Sequence, residues 1–270
     1  MIAEMYKRRE KFGYFFLGFI LLVIVGWLLF QTPNTQGEWL EMLILLVPLG
    51  FVVSIIFISR SHYNKVKSVN IPRTEKQLLD LDHTVIKKDA GVIPRLLLFE
   101  KDGQFIGTVK PLDIPWWMYP ICIFNESMLE FFPLTYGFID SNEEIQFTFR
   151  KTGWLKQIKL TIFNIENHKI GTYIQEELNT LFQIKGKLLN EKDDKVISIQ
   201  ASGFYGDFRW QDEEGNQWAY FYNGKFPQTY TTIFRDIHND IVQLSDDLHK
   251  PDKIRLLAVI GFLFMYRIKQ

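Results

Sequence analysis

The segment that most constrains this chain lies near its end, where Asp252 to Ile268 reads Asp-Lys-Ile-Arg-Leu-Leu-Ala-Val-Ile-Gly-Phe-Leu-Phe-Met-Tyr-Arg-Ile. A helix over this stretch has no polar side, so it must be surrounded by something apolar. The uncharged run from Leu256 to Tyr266 is too short for the roughly 20 residues a bilayer demands. Protein is then the surrounding medium, and a β-barrel enclosing a central helix at about 253–267 meets the requirement. A third span that draws in Ile254 and Ile268 competes with this reading; it has to bury Arg255 or let it snorkel to an interface.

The turns decide whether the chain can supply such a barrel. Leu96 to Lys110 places two strand-like runs around Asp102-Gly103, a strong short-range hairpin signal. Leu160 to Glu176 repeats the unit, with Phe163 and Ile170-Gly171-Thr172 spaced as Phe99 and Ile106-Gly107-Thr108 are. Asp207 to Tyr222 is a looser third copy, in which Gly215 stands three residues before Trp218 as Gly103 stands before Ile106. Repeated hairpins imply an antiparallel meander. Glu144–Arg150, Thr180–Leu188, Val196–Ser202 and Thr229–Arg235 also alternate, which raises the expected strand count to about ten. That many strands curl, and closure removes the exposed edges.

The other end of the chain is of a different kind. Phe12 to Phe30 and Met42 to Ile58 are both apolar over nearly a membrane thickness, and Pro48 is expected to kink the second. Lys7, Arg8, Arg9 and Lys11 precede the first run, Arg60, Lys65 and Lys67 follow the second, and Gln31 to Glu41 holds no cation. The distribution predicts a multi-pass cell-membrane protein with its N-terminus and its following domain in the cytoplasm. A cleaved signal peptide is the alternative for the first run, but no small-residue cleavage site follows Phe30. The expected organisation is a membrane hairpin over 1–60, a linker over 61–83 whose polar part is Ser61 to Asn70, and a barrel domain over 84–270. The fold class is thus α+β and membrane-anchored, with two transmembrane helices ahead of a closed antiparallel barrel around a hydrophobic helix.

Gly203-Phe204-Tyr205-Gly206-Asp207-Phe208, Asp212-Glu213-Glu214-Gly215 and Trp218-Ala219, together with the apolar ending, resemble the LURP-one-related proteins and their tubby-like and phospholipid-scramblase relatives. The likeness covers roughly Leu96 to Ile268. It implies the tubby C-terminal-like fold, a closed antiparallel barrel threaded by a hydrophobic C-terminal helix. It also implies an interest in lipid, since animal tubby domains bind phosphoinositide headgroups through basic residues.

Composition and motifs speak against catalysis and against nucleic acid. Lys plus Arg and Asp plus Glu balance at 31 each, so no global basic field exists to hold a phosphate backbone. The hydrophobic content of 47% supports a buried core, and the single Cys122 leaves neither a disulfide nor a cysteine-rich metal framework. Phosphate loop, zinc helix, nucleophile elbow and Cys-x-x-Cys signatures are all missing, so the expectation is no enzyme and no cofactor. Asp236, His238, Asp240, Asp246, Asp247 and His249 form the densest polar cluster. Their spacing matches no metal site, and a helix over Asp240 to Leu248 would make them a solvated face opposite Ile241, Leu244 and Leu248.

Two groups of residues suit a membrane surface. Arg150, Lys151, Lys156 and Lys159 flank the Lys151-Thr152-Gly153 turn with Trp154 beside them, a set fitted to anionic lipid headgroups, although an ordinary exposed hairpin tip has a similar composition. Trp116, Trp117 and Tyr119 stand between Pro115 and Pro120 and suit the membrane interface, with packing inside the domain as the alternative. Cys122 nearby is open to acylation or to burial as a small hydrophobe. The resulting expectation is a noncatalytic module that binds lipid headgroups or a protein partner at the cytoplasmic leaflet. Scramblase-like lipid transport is the alternative, although the acylated cysteine cluster, proline-rich N-terminus and calcium segment of animal scramblases have no counterparts here. A purely structural partner-binding protein is the third reading.

Overall fold

A computed structural model of the chain describes residues 2–30, 33–44, 46–69, 71, 73–74, 78–81, 83–89, 93–119, 129, 131–153, 157–176, 183–202, 208–224 and 239–266. It divides into two compact units, Met1–Asn70 and Ile71–Gln270.

The first unit is helical: α1 spans Ile2–Phe30, α2 Gln36–Ile44 and α3 Leu46–Val66. Helices α1 and α3 run antiparallel. The Tyr6 ring meets His62 edge-on at 5.0 Å, the Lys7 ammonium lies 5.6 Å from the Tyr63 ring centre, and Gly13 faces Ile56. A methyl group at Gly13 would come within 2.5 Å of Ile56 Cγ1, so glycine is what lets the helices approach so closely. Thr35 and Glu38 cap α2 reciprocally: Thr35 Oγ1 accepts from the Glu38 N–H at 3.3 Å, and the Glu38 carboxylate accepts from the Asn34 N–H at 2.7 Å.

Both α1 and α3 are long and apolar enough to cross a membrane, and Phe15, Phe19, Leu22, Leu29, Val47, Phe51 and Phe57 on them are exposed. Their limits differ from the runs 12–30 and 42–58. Helix α1 begins before its cations, because Lys, Arg and Glu are good helix formers. Helix α3 starts at Leu46 and reaches Val66, which takes up much of the expected polar linker. Pro48 is the third residue of α3, in its first turn, a position that suits a residue without an N–H.

The second unit is built on one antiparallel sheet of twelve strands: β1 His83–Asp89, β2 Arg95–Glu100, β3 Phe105–Pro111, β4 Thr135–Asp140, β5 Ile145–Thr152, β6 Gln157–Phe163, β7 Lys169–Glu176, β8 Gln183–Leu189, β9 Lys195–Ser202, β10 Phe208–Gln211, β11 Gln217–Gly224 and β12 Asn239–Leu244. Their order is β10-β11-β12-β1-β2-β3-β4-β5-β6-β7-β8-β9. The two ends of the sheet come together, and the Trp210 indole N–H donates to the Gln200 carbonyl at 2.9 Å. The result is a nearly closed antiparallel barrel.

Five turns of one design curl the sheet, two more than the three hairpins legible as repeats. In each, the N–H of the first residue donates to the carbonyl four residues on, and its own carbonyl accepts from the residue three on, as in Glu100, Gly103 and Gln104. That third residue has positive φ: Gly103 at 90°, Glu143 at 71°, Asn167 at 61°, Asp193 at 65° and Gly215 at 88°. This is the three-residue hairpin loop with a bulge, and every one of the five strand pairs carries the matching register shift. Bulges bend the strands and increase their twist, which favours closure. Asp140, Asn190 and Asp212 support their turns by accepting backbone N–H groups within them, from Asn142, Lys192 and Glu214.

The antiparallel order places all five tight turns at one end of the barrel, here the turn end, and the other strand connections at the opposite loop end. Strand β12 corrects one expectation, since Asn239–Leu244 is no helix but pairs with β1 on one side and β11 on the other. Its run of Ile241, Val242 and Leu244 fills a gap that long-range pairing dictates, so the local pattern is overridden.

The last helix, α4, spans Lys250–Tyr266, and every residue from Arg255 to Met265 is buried. Arg255 Nε donates to the Ile170 carbonyl at 2.7 Å at the turn end, and its guanidinium also pairs with Asp252. At the other extreme Lys88 Nζ donates to the Met265 carbonyl at 3.1 Å, and the Tyr136 and Tyr266 hydroxyls lie 2.6 Å apart. Phe264 meets Phe221 of β11 at 4.9 Å, and Gly261 packs toward Val109 and Phe149. Strands β1, β3, β4, β5, β7 and β11 thus all reach this helix. A gap lined by Leu98, Phe147, Leu257 and Gly261 has only about 10 Å³ of room, about that of a single water.

Candidate functional site

Side-chain parity settles where the predicted basic residues go. Along β5 the inward row is Phe147, Phe149 and Lys151, and the outward row is Thr148, Arg150 and Thr152. Lys151 is therefore at 0% exposure and cannot offer its ammonium to a headgroup. Arg150 and Lys159 are exposed, whereas Trp154 and Lys156 lie outside the described residues.

The pairing of strands then adds two cations that no sequence window connects to these. Lys159 is opposite Thr152 on one side and Ile174 on the other, and Ile174 is opposite Lys187. Lys185 follows on the same outward row of β8, and both β8 lysines are exposed. Strand spacing puts Lys159 and Lys187 about 10 Å apart at the backbone, with Arg150 diagonal to Lys159 at about 7–8 Å. These separations are close to the Debye length of about 8 Å in physiological salt, so the four cations act together, with Glu176 as the one acidic residue the register sets opposite them, across from Lys185.

Among the described residues none of the four takes part in an ion pair. The neighbouring lysines do: Lys169 Nζ lies 2.7 Å from Asp193, and Lys195 Nζ lies 2.9 Å from Glu213. The Lys169 hydrogen bond is the main cause holding the Asp193 carboxyl below its usual range, with the Lys159 charge a smaller contribution in the same direction.

The barrel is polar from end to end. Its five tight turns carry Asp102, Glu143, Glu144, Glu166, Glu191, Asp193, Asp194, Asp212, Glu213 and Glu214, with Lys101 and Lys192 as cations, and the sequence of the connections at the opposite end holds acidic residues too, Asp113, Glu126, Glu130, Glu177, Asp207 and Asp236. The loop end begins, after Pro111, with exposed aromatics. Trp116 is 83% exposed, and Trp117, Tyr119 and Phe131 are exposed as well. Trp116–Met118 is a short 3₁₀ turn whose Met118 is pinned in the core, which leaves the rings outward. Strand β4 then opens at Thr135, directly opposite Arg150.

Other candidates for chemistry fare worse. No group of three metal-ligating side chains occurs among the described residues, and Asp236, His238 and Cys122 lie outside them. Asp240 is a buried strand residue, far from a solvated helical face. At the turn end a cavity of about 590 Å³ has a floor of Leu78, Ile106, Phe138 and Ile254 and a rim of Arg73, Asp140 and Glu144. Asp140 is committed to its own turn, accepting from Asn142, Glu144 and Gln146.

Comparison of the chain with known family models, with curated proteins and with solved structures finds no match.

Proposed function

We propose that this chain is a membrane-anchored, noncatalytic lipid-binding protein whose barrel reads anionic headgroups at the cytoplasmic leaflet. In this reading α1 and α3 cross the bilayer, with the cations at Lys7–Lys11 and Arg60–Lys67 held on the inner side. The sheet wraps α4, which has too many polar anchors at its ends and too much burial to face lipid. Likeness to the tubby-like superfamily is consistent with that arrangement.

The observation that carries the proposal is the outward row of Arg150, Lys159, Lys185 and Lys187, none of which, among the described residues, is in an ion pair like those of Lys169 and Lys195. Near a negatively charged leaflet each such cation contributes about 1 kcal/mol. A soluble fragment beginning at Ser68 tests the reading: it should bind vesicles containing phosphatidylserine, lose them in high salt, and ignore phosphatidylcholine. Absence of binding in low salt would refute the proposal. Lipid transport has less support, because among the exposed residues of α1 and α3 in their apolar stretches only Tyr14 and Ser54 carry a polar side-chain group, and the Ser54 hydroxyl is bonded to the Gly50 carbonyl, which gives headgroups no continuous polar path.

A further inference from the structure

We infer that the loop end of the barrel docks into the bilayer interface, with Trp116, Trp117, Tyr119 and Phe131 immersed and the carboxylate-rich turn end pointing away. This rests on the lipid-binding reading and adds to it a contact surface and an orientation.

Three independent observations converge. Tryptophan is among the most buried residue types on average, yet Trp116 is 83% exposed beside three further exposed aromatics. The patch is held rigidly: Met118 sits in the core, and the Trp117 ring meets Phe132 edge-on at 5.7 Å. A pinned turn that holds its rings outward is organised to contact something. Second, Trp and Tyr are the side chains that settle at headgroup level, with an apolar ring and a polar edge. Third, cations stand beside the rings. Arg150 flanks the aromatic connection through its register with Thr135, and Lys159 and the β8 lysines extend an exposed cationic side from it along the outward face of the sheet. Aromatic rings with neighbouring Lys and Arg side chains suit the headgroup level of an anionic leaflet.

The full chain in nanodiscs tests this. A fluorophore is attached at Asp113→Cys, next to the aromatics, or at Ile165→Cys, an exposed site in a turn-end loop, each in a Cys122→Ser background. In discs containing phosphatidylserine, spin-labelled lipid should quench the probe at 113 and iodide should not, whereas the probe at 165 should behave oppositely. Adding Trp116→Ser and Trp117→Ser should abolish the lipid quenching at 113. Iodide reaching 113 as readily as 165 would overturn the inference, and so would shielding of 113 from both quenchers, which would mean that protein covers the patch. Lipid quenching that persists unchanged in pure phosphatidylcholine would uphold the docking while refuting headgroup recognition. Loss of docking with the Ser68 fragment still bound to anionic vesicles would do the reverse.

Discussion

Replacing Lys159 and Lys187 together by glutamine removes two of the four cations on the outward row of β5, β6 and β8 while leaving the inward row untouched. At about 1 kcal/mol for each cation near an anionic leaflet, the double variant loses about 2 kcal/mol. That corresponds to about 30-fold weaker partitioning of the Ser68 fragment onto phosphatidylserine vesicles, read by sedimentation. The control has equal charge loss at the wrong place: Lys169→Gln with Lys195→Gln removes two lysines already paired with Asp193 and Glu213. It should weaken binding by less than about threefold, since exposed pairs contribute little either way. Raising the salt from 0.1 M to 1 M shrinks the Debye length from about 10 Å to about 3 Å and should release the wild-type fragment. Equal losses for both double variants would refute the reasoning, because binding would then follow net charge instead of the arrangement on the sheet.

Lys151→Glu should leave lipid selectivity unaddressed and instead destabilise the barrel by about 3 kcal/mol in urea unfolding, because it puts a carboxylate on the inward row beside Phe147 and Phe149. Gly107→Ala should cost about 3 kcal/mol, since its new methyl would stand 2.4 Å from the Ile139 carbonyl oxygen and 2.6 Å from the Phe138 ring. The Asp212 carboxyl is held below its ordinary value, chiefly by the hydrogen bond from the Asn216 side chain, with those of Trp218 and the turn backbone adding to it. A depressed folded value means that its contribution is complete above the unfolded value of about 3.8 and is lost as pH falls through the folded one. Asp212→Asn should therefore flatten the acid limb of thermal stability, and an unchanged limb would remove Asp212 from the account. Dye-labelled lipid in proteoliposomes of the full chain should show no scrambling above empty vesicles.

Much of the architecture was readable because its causes are local. Asp102-Gly103 and Gly215 announce their turns, since glycine accepts positive φ at no steric cost. The turns at Glu143 and Asp193 were hidden because a residue less suited to that conformation occupies the key position, and support comes from Asp140 and Asn190 three residues earlier. Strand β12 has no local signature because one of its partners, β1, is more than a hundred residues away and the other, β11, is reached only across the connection 225–238. The candidate site shows the same division. Alternation with Phe147 and Phe149 sends Lys151 inward. Lys185 and Lys187 join Arg150 and Lys159 only through the register of β6, β7 and β8, which no window of sequence contains.

The account depends on α4 being enclosed by the sheet while α1 and α3 alone meet lipid. An apolar diazirine probe dissolved in the bilayer around the full chain, with its adducts mapped residue by residue, reports this directly. Label on exposed residues of α1 and α3, such as Phe19, Leu22 and Phe57, with none from Leu256 to Met265, is the predicted pattern. Label running along Leu256 to Met265 would contradict it.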